Sequence, residues 1–284
     1  MYYLKKTLQK VYPPFLFRIL KHIQRSYYFY RKNKFSEEEL IIQNYLDNIE
    51  INNNNKFAVD IASQDGVLGN QTIKLFLDGY NGVAFEFDGK FFSILSSFYS
   101  NFKRIVLIKS KVTPNNILKY LDSVDCPLNF AFLSLDIDSF DFYILNSILS
   151  KYRPSLICLE INENIPPPIK FTVEFANEYI WDDENNHFQG QSISKAYELC
   201  LKYDYKILKL HYNNLFIAPI ESEIEDNLSP LEAYNEGYFN RLDRCKKFPW
   251  NKDMEAIFSL DDEDKITYLK RKFHKYNGKF TIEK

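Results

Sequence analysis

The sequence predicts an α/β protein built on a doubly wound, mostly parallel sheet with helices on both faces. Three observations predict it. Short runs that stay apolar until an acid near their end, such as Phe130–Leu135 and Ser155–Ile161, alternate with stretches of helical period. That is the pattern of strands buried on both faces and joined by helical crossovers. The stretch Phe57–Asp88 reads as strand, small-residue turn, helix and strand, the opening βαβ unit of such a sheet. Tyr205–Leu210 and Leu215–Ala218, separated by His211-Tyr212-Asn213-Asn214, then read as a closing hairpin.

The chain of 284 residues is 45% hydrophobic, enough for a full core. A net charge of -2 makes no case for nucleic-acid binding. Cys126, Cys158, Cys200 and Cys245 form no CxxC pair, which fits a reduced, cytoplasmic setting, with Cys158 in a core strand. No apolar run approaches the roughly 20 residues that span a bilayer, and no cleavable leader is expected. Three regions are expected: a basic helical extension over 1–50, a ligand-binding domain over 51–221 and a charged, mainly helical extension over 222–284.

Residues 1–34 carry lysines and arginines but no acid, mixed with Tyr, Phe, Leu and Ile. Such an arm can lie on an anionic membrane face, here the inner face, or hold a phosphorylated substrate. It can equally pack on its own domain or on a second subunit of a homo-oligomer. Ser36 with Glu39 forms a capping box that starts a helix running to about Ile49. After the βαβ unit come a helix over Phe91–Tyr99, a strand over Arg104–Ile108, a helix to about Ser123 and the strand Phe130–Leu135. Asp138 or Ser139 is placed to cap a helix over Asp141–Leu149, and the strand Ser155–Ile161 follows. Residues 162–191, with Pro166-Pro167-Pro168, are too long for an ordinary connection and lie beyond a strand's carboxyl end, where ligands sit in such sheets.

The candidate site residues follow from this layout. Gly66 suits a tight turn close to a nucleotide-like ligand, Asn70 can cap the helix that runs to about Asp78, and Glu86 or Asp88 sits where a ribose-binding carboxylate would. Asp136, Asp138 and Asp141 end one central strand, and Glu160 and Asn162 end another. Residues two apart share a face, so Asp136 with Asp138 and Glu160 with Asn162 converge if the strands are neighbours. That set suits a hard divalent ion such as Mg²⁺ or Mn²⁺, or a general base and ligands for substrate hydroxyls and amines. His187, in the long loop, is a second candidate base.

These segments together carry a resemblance. V-D-I-A-S-Q-D-G, A-F-E-F-D, F-L-S-L-D-I-D-S-F-D-F-Y, L-I-C-L-E-I-N, F-Q-G-Q-S and N-N-L-F-I resemble the FkbM-like branch of class I S-adenosylmethionine-dependent methyltransferases, over roughly residues 57–219. The resemblance implies a seven-stranded, Rossmann-like sheet with a reversed last hairpin and methyl transfer from S-adenosyl-L-methionine. It implies that Asp60 is the acid ending the first strand, that Ala62, Ser63, Gln64, Asp65 and Gly66 form the turn under the methionine part, and that Glu86 binds the ribose hydroxyls. Asp65 would face the cofactor amine, and Ala62 stands where relatives often have Gly. The implied acceptor is a hydroxyl or amine of a small molecule: a saccharide, a surface-glycan precursor or a phosphorylated intermediate. Asp136, Asp138 or His187 would take its proton. Two other functions remain open: an NAD-dependent oxidoreductase, which the missing G-x-G-x-x-G disfavours, and an inactive methyltransferase-fold scaffold.

Overall fold

The computed structural model describes residues 36–66, 70–100, 102–177 and 187–284. Its central sheet has seven strands: β1 (Phe57–Ile61), β2 (Asn81–Glu86), β3 (Ile105–Lys109), β4 (Phe132–Leu135), β5 (Leu156–Glu160), β7 (Tyr205–His211) and β8 (Asn214–Pro219). The order across the sheet is β3-β2-β1-β4-β5-β8-β7. The first five strands run parallel, while β8 is antiparallel to both of its neighbours. This is the doubly wound, mostly parallel sheet with a reversed last hairpin that the sequence predicts. The carboxyl ends of β1, β2, β4 and β5 therefore share one edge with the β7–β8 turn.

Side-chain alternation explains why these strands read as continuous apolar runs. Val59, Ile61, Leu133, Leu135, Ile157 and Leu159 face one layer, with α4 (Ile117–Ser123), α5 (Asp141–Leu149) and α6 (Ile193–Lys202). Ala58, Phe132, Leu156, Cys158 and Phe216 face the other, with α1 (Glu37–Asp47), α2 (Ile73–Leu77) and α3 (Gly89–Tyr99). Both faces are covered, so neither needs polar residues. Gly82 is required by this packing, because a Cβ there would stand 2.3 Å from the Ala58 carbonyl oxygen.

The predicted capping box at Ser36 is present, and α1 buries Ile42, Tyr45 and Leu46 against the sheet. The basic arm over 1–34 lies outside the described residues. Among those described, no helix is long and apolar enough to cross a membrane.

The segment beyond β5 departs from its prediction as an irregular loop. It contains β6 (Lys170–Val173), which pairs antiparallel with β9 (Phe280–Glu283) at the far end of the chain. A four-residue strand whose partner lies so distant in sequence leaves no local hairpin signal. The C-terminal stretch holds α7 (Pro230–Tyr234), a π-helical turn (Asn235–Phe239), α8 (Arg244–Lys247), a 3₁₀ stretch (Pro249–Ser259) and α9 (Asp262–Lys272). Its Met254, Ile257, Leu269 and Phe273 pack on Ile165, Ile169, Phe171, Val173 and Phe188 as a third apolar cluster.

Candidate active site

The turn after β1 is wound unusually tightly. Ala62, Gln64 and Gly66 all have left-handed backbones, with φ of 70°, 48° and 77°. Gly66 is also needed for packing, since a Cβ would come within 2.5 Å of Leu95 Cδ1 on α3. Asp60 is buried, and its Oδ2 accepts from Asn70 Nδ2 at 2.6 Å and Thr72 Oγ1 at 2.7 Å. Burial raises its pKa, and the bonds from Thr72, Asn70 and Ser63 oppose that rise. Asn70 Oδ1 accepts from the N–H groups of Thr72 (2.9 Å) and Ile73 (2.8 Å). It thus closes the helix start, although the N-cap position is Thr72 and α2 ends at Leu77. Ser63 donates to the Asp60 carbonyl at 3.2 Å. Asp65 is buried in the turn, close enough for its charge to help raise the Tyr99 phenol.

Glu86, at the end of β2, reaches across to this turn. Its Oε2 accepts from Gln64 N at 2.8 Å and its Oε1 from Asp88 N at 2.7 Å. Burial raises its pKa, and these backbone donors pull the other way. Asp88 is placed differently: its Oδ1 accepts from Lys90 N and Phe91 N, capping α3, which starts at Gly89. Of the two acids considered for a ribose, Glu86 faces the turn and Asp88 caps a helix.

Asp136, Asp138 and Glu160 converge at the ends of the neighbouring strands β4 and β5. One carboxylate oxygen from each lies within 4.8 Å of the others, and all three remain partly open to solvent. Burial, then the charge of Asp138, pushes Asp136 up to about 7. Burial likewise raises Asp138, and burial with the charges of Asp136 and Asp138 raises Glu160 well above the usual carboxylate range. Such a group keeps a proton or takes a cation, because three close like charges cannot all ionise unaided. The expected cap at Asp138 or Ser139 is absent. Asp141 instead accepts from Ile137 N (2.8 Å) and Ser139 N (3.1 Å), and burial pushes it up to about 6. Asp138 has φ 56°, a left-handed bend, and its carboxylate belongs to the cluster.

Asn162 makes bonds of its own beyond β5. Its Nδ2 donates to the carbonyls of His187 (2.8 Å) and Gln189 (3.0 Å), and its Oδ1 accepts from Asn164 N (3.2 Å). The two-residue alignment with Glu160 holds only while the chain stays extended, and β5 ends at Glu160. The His187 ring faces the C-terminal stretch: its Nε2 lies 2.9 Å from Asp253 Oδ1, which belongs to a carboxylate also paired with Lys272. Its Nδ1 is buried with no partner among the described residues, and burial lowers its pKa.

Several polar residues that sequence reasoning did not single out complete the edge. Asn213 Nδ2 donates to Glu160 Oε1 at 2.6 Å, and Gln191 Nε2 to the Glu160 carbonyl at 2.5 Å. Gln71 accepts from Ser134 Oγ (3.2 Å) and donates to Asn214 Oδ1 (2.9 Å), tying the α2 entry to β4 and β8. The motifs F-Q-G-Q-S and N-N-L-F-I contained Gln191, Asn213 and Asn214; a two-residue turn between strands was the signal available.

No protein-family model matches this chain, and no curated protein matches it in sequence. Among solved structures it is similar to an O-methyltransferase from Bacillus cereus in complex with S-adenosylhomocysteine, at 15% identity and a TM-score of 0.39, covering 69% of this chain and 96% of that one. TrmK of M. capricolum in complex with S-adenosylhomocysteine is 12% identical, with a TM-score of 0.42 and coverage of 85% and 97%. An S-adenosylmethionine-dependent methyltransferase from Clostridium acetobutylicum is 10% identical, with a TM-score of 0.41 and coverage of 71% and 98%. Likenesses at this level carry nothing about substrate or chemistry.

Proposed function

We propose that this chain is an S-adenosylmethionine-dependent methyltransferase of the FkbM-like kind, acting on a hydroxyl or amine of a small molecule, with a sugar or surface-glycan precursor as the leading acceptor. The observation that carries this reading is Glu86. Its two oxygens are anchored by N–H groups of Gln64 and Asp88, and each keeps lone-pair capacity to accept from a ribose hydroxyl. The left-handed turn at Ala62, Gln64 and Gly66 fits close backbone approach to a ligand. S-adenosylmethionine bound there would supply an electrophilic methyl on sulfur.

The chain's own residues would do the rest. Asp136, pushed up to about 7, is poised to take the acceptor proton near neutrality. Asp138 and Glu160 would orient acceptor hydroxyls, with Asn213 holding Glu160 in place. Residues 162–177 and 187–191, joined by the bonds of the Asn162 side chain to the His187 and Gln189 carbonyls, would help exclude water. Asp136, Asp138 and Glu160 also fit a divalent ion, Mg²⁺ or Mn²⁺: three hard oxygen donors converge where like charges need neutralising. The ion would lower the acceptor hydroxyl's pKa.

Calorimetry with S-adenosylhomocysteine, S-adenosylmethionine and NAD tests the reading. Binding of the two adenosyl compounds without NAD is expected, and Glu86→Ala should weaken it by at least about 1 kcal/mol through the lost hydrogen bonds. Binding of NAD alone would point to an oxidoreductase, and no nucleotide binding to a scaffold; either outcome overturns the proposal.

A further inference from the structure

Two buried polar side chains beside the acidic edge take no part in the proposed chemistry. Ser134 is the polar residue of the otherwise apolar β4, and Gln71 stands just before α2. Burying a hydroxyl or an amide costs free energy unless it is bonded, so their partners are informative. Ser134 Oγ donates to Gln71 Oε1 at 3.2 Å, and Gln71 Nε2 donates to Asn214 Oδ1 at 2.9 Å. Asn214 Nδ2 donates on to Asn213 Oδ1 at 3.4 Å, and Asn213 Nδ2 to Glu160 Oε1 at 2.6 Å. The sheet register sets the two ends: Ser134 is level with Cys158, two residues before Glu160 on β5, and Asn214 is opposite Glu160.

Each of the three amides accepts at its oxygen and donates from its nitrogen, so the path has one direction and ends by presenting an N–H to Glu160. Turned over together, the amides would set Asn213 Oδ1 against the Glu160 carboxylate, acceptor against acceptor. The Cys158 thiol, a weak donor 3.7 Å from Asn214 Oδ1, favours the same orientation. We propose that Ser134 and Gln71 are positioning residues: through Asn214 and Asn213 they fix which end of the Asn213 amide meets Glu160, and so hold that carboxyl ready for an O–H or N–H of the acceptor. Bonds that run in one sense polarise one another, so the hydroxyl at the start strengthens the contact at the end. The use made of Glu160 rests on the methyltransferase reading; the orienting of Asn213 does not.

Hydrogen exchange of the side-chain amides, followed by NMR on the full chain labelled at asparagine nitrogen, tests it. The Asn213 amide protons should exchange about three- to tenfold faster in Ser134→Ala and in Gln71→Met, the worth of one hydrogen bond, and at the wild-type rate in Ser134→Thr, which keeps the hydroxyl. The Asn162 amide, bound to the His187 and Gln189 carbonyls, should keep its rate in every variant. Wild-type exchange at Asn213 in both Ser134→Ala and Gln71→Met overturns the proposal. So does acceleration that Ser134→Thr shares or that spreads to Asn162, because either marks a loosened fold and not a lost donor. Failure of the wild type to bind S-adenosylhomocysteine would overturn the methyltransferase reading alone, since the exchange rates are measured without it.

Discussion

The carboxylate group at the ends of β4 and β5 makes a prediction that can be worked through from its geometry. Asp136 titrates at about 7 and Glu160 well above the usual range, so at pH 6.5 the folded chain holds protons there that the unfolded chain has released. A carboxyl raised in the folded state stabilises most on the acid side, and the contribution is lost as pH climbs through the folded pKa. Each such proton is worth at most about 1.4 kcal/mol per pH unit, less here because the group is partly open to solvent. Asp141 and Glu163, both raised to about 6, act with the same sign but have largely titrated by pH 6.5. His187, lowered by burial, acts with the opposite sign around and below its unfolded value of about 6.5. Asp60, Glu86 and Glu39 are raised by burial as well, so the comparison with Glu160→Gln between pH 6.5 and 8 is what isolates the cluster.

Urea melts across that window should show the wild type losing up to about 1 kcal/mol per pH unit, and Glu160→Gln losing clearly less. Adding Mn²⁺ should reverse the wild-type loss, since an ion displaces the protons; at a hundred times its Kd it adds about 2.7 kcal/mol. The gain should be larger at pH 8 than at pH 6.5 and small in Glu160→Gln. An identical slope in wild type and variant, or equal Mn²⁺ stabilisation of both, would refute the coupling of these three carboxylates.

Three further outcomes are expected. Ala62→Gly should raise stability by roughly 0.5–1 kcal/mol, because relief of the left-handed strain outweighs the added freedom of the unfolded chain; a lower melting temperature would show that the Ala62 methyl is needed for packing. Asp136→Asn should cut kcat by about 10²-fold or more with S-adenosylhomocysteine affinity unchanged, and normal turnover would remove Asp136 as base or ligand. Leu269→Ala, at a fully buried position on α9, should cost about 2–5 kcal/mol in chemical denaturation. A loss under about 0.5 kcal/mol would mean that the C-terminal stretch contributes little to the folded core.

The sheet was legible because burial on both faces leaves an unmistakable trace: Phe132, Leu133 and Leu135 point to different layers, yet all must be apolar. The acids at or beside the ends of β1, β2, β4 and β5 were equally plain. What escaped were interactions between residues far apart in sequence. Lys170–Val173 becomes a strand only because Phe280–Glu283 returns to it. Asn162 looks like a ligand by alternation, and its amide nitrogen bonds the carbonyls of His187 and Gln189 across the long segment. His187 looked like a base beside other polar residues, and its ring partner proved to be Asp253, a residue of the tail. Asp138 lies in the carboxylate group with Asp136, and the capping bonds expected of it or of Ser139 fall to Asp141.

The β7–β8 turn connects these parts physically. His211 sits between Glu37 and Glu38 at the start of α1, at 3.0 and 3.1 Å, and Lys247 reaches Glu38 at 3.6 Å. Tyr212 donates to Asp243 at 2.5 Å and lies under Arg241 and Lys247. Asn213, next in the chain, grips Glu160. A two-residue turn has too few contacts to fix an asparagine amide to within a hydrogen bond, and here it is clamped by the helix from one end of the chain and basic residues from the other. A carboxylate that orients an acceptor, as proposed for Glu160, must be held within a fraction of an ångström, and the turn that supplies Asn213 is supported by segments outside the sheet. On the proposed reading, Glu37 and Glu38 of α1 and Arg241, Asp243 and Lys247 of the C-terminal stretch support the site through this turn.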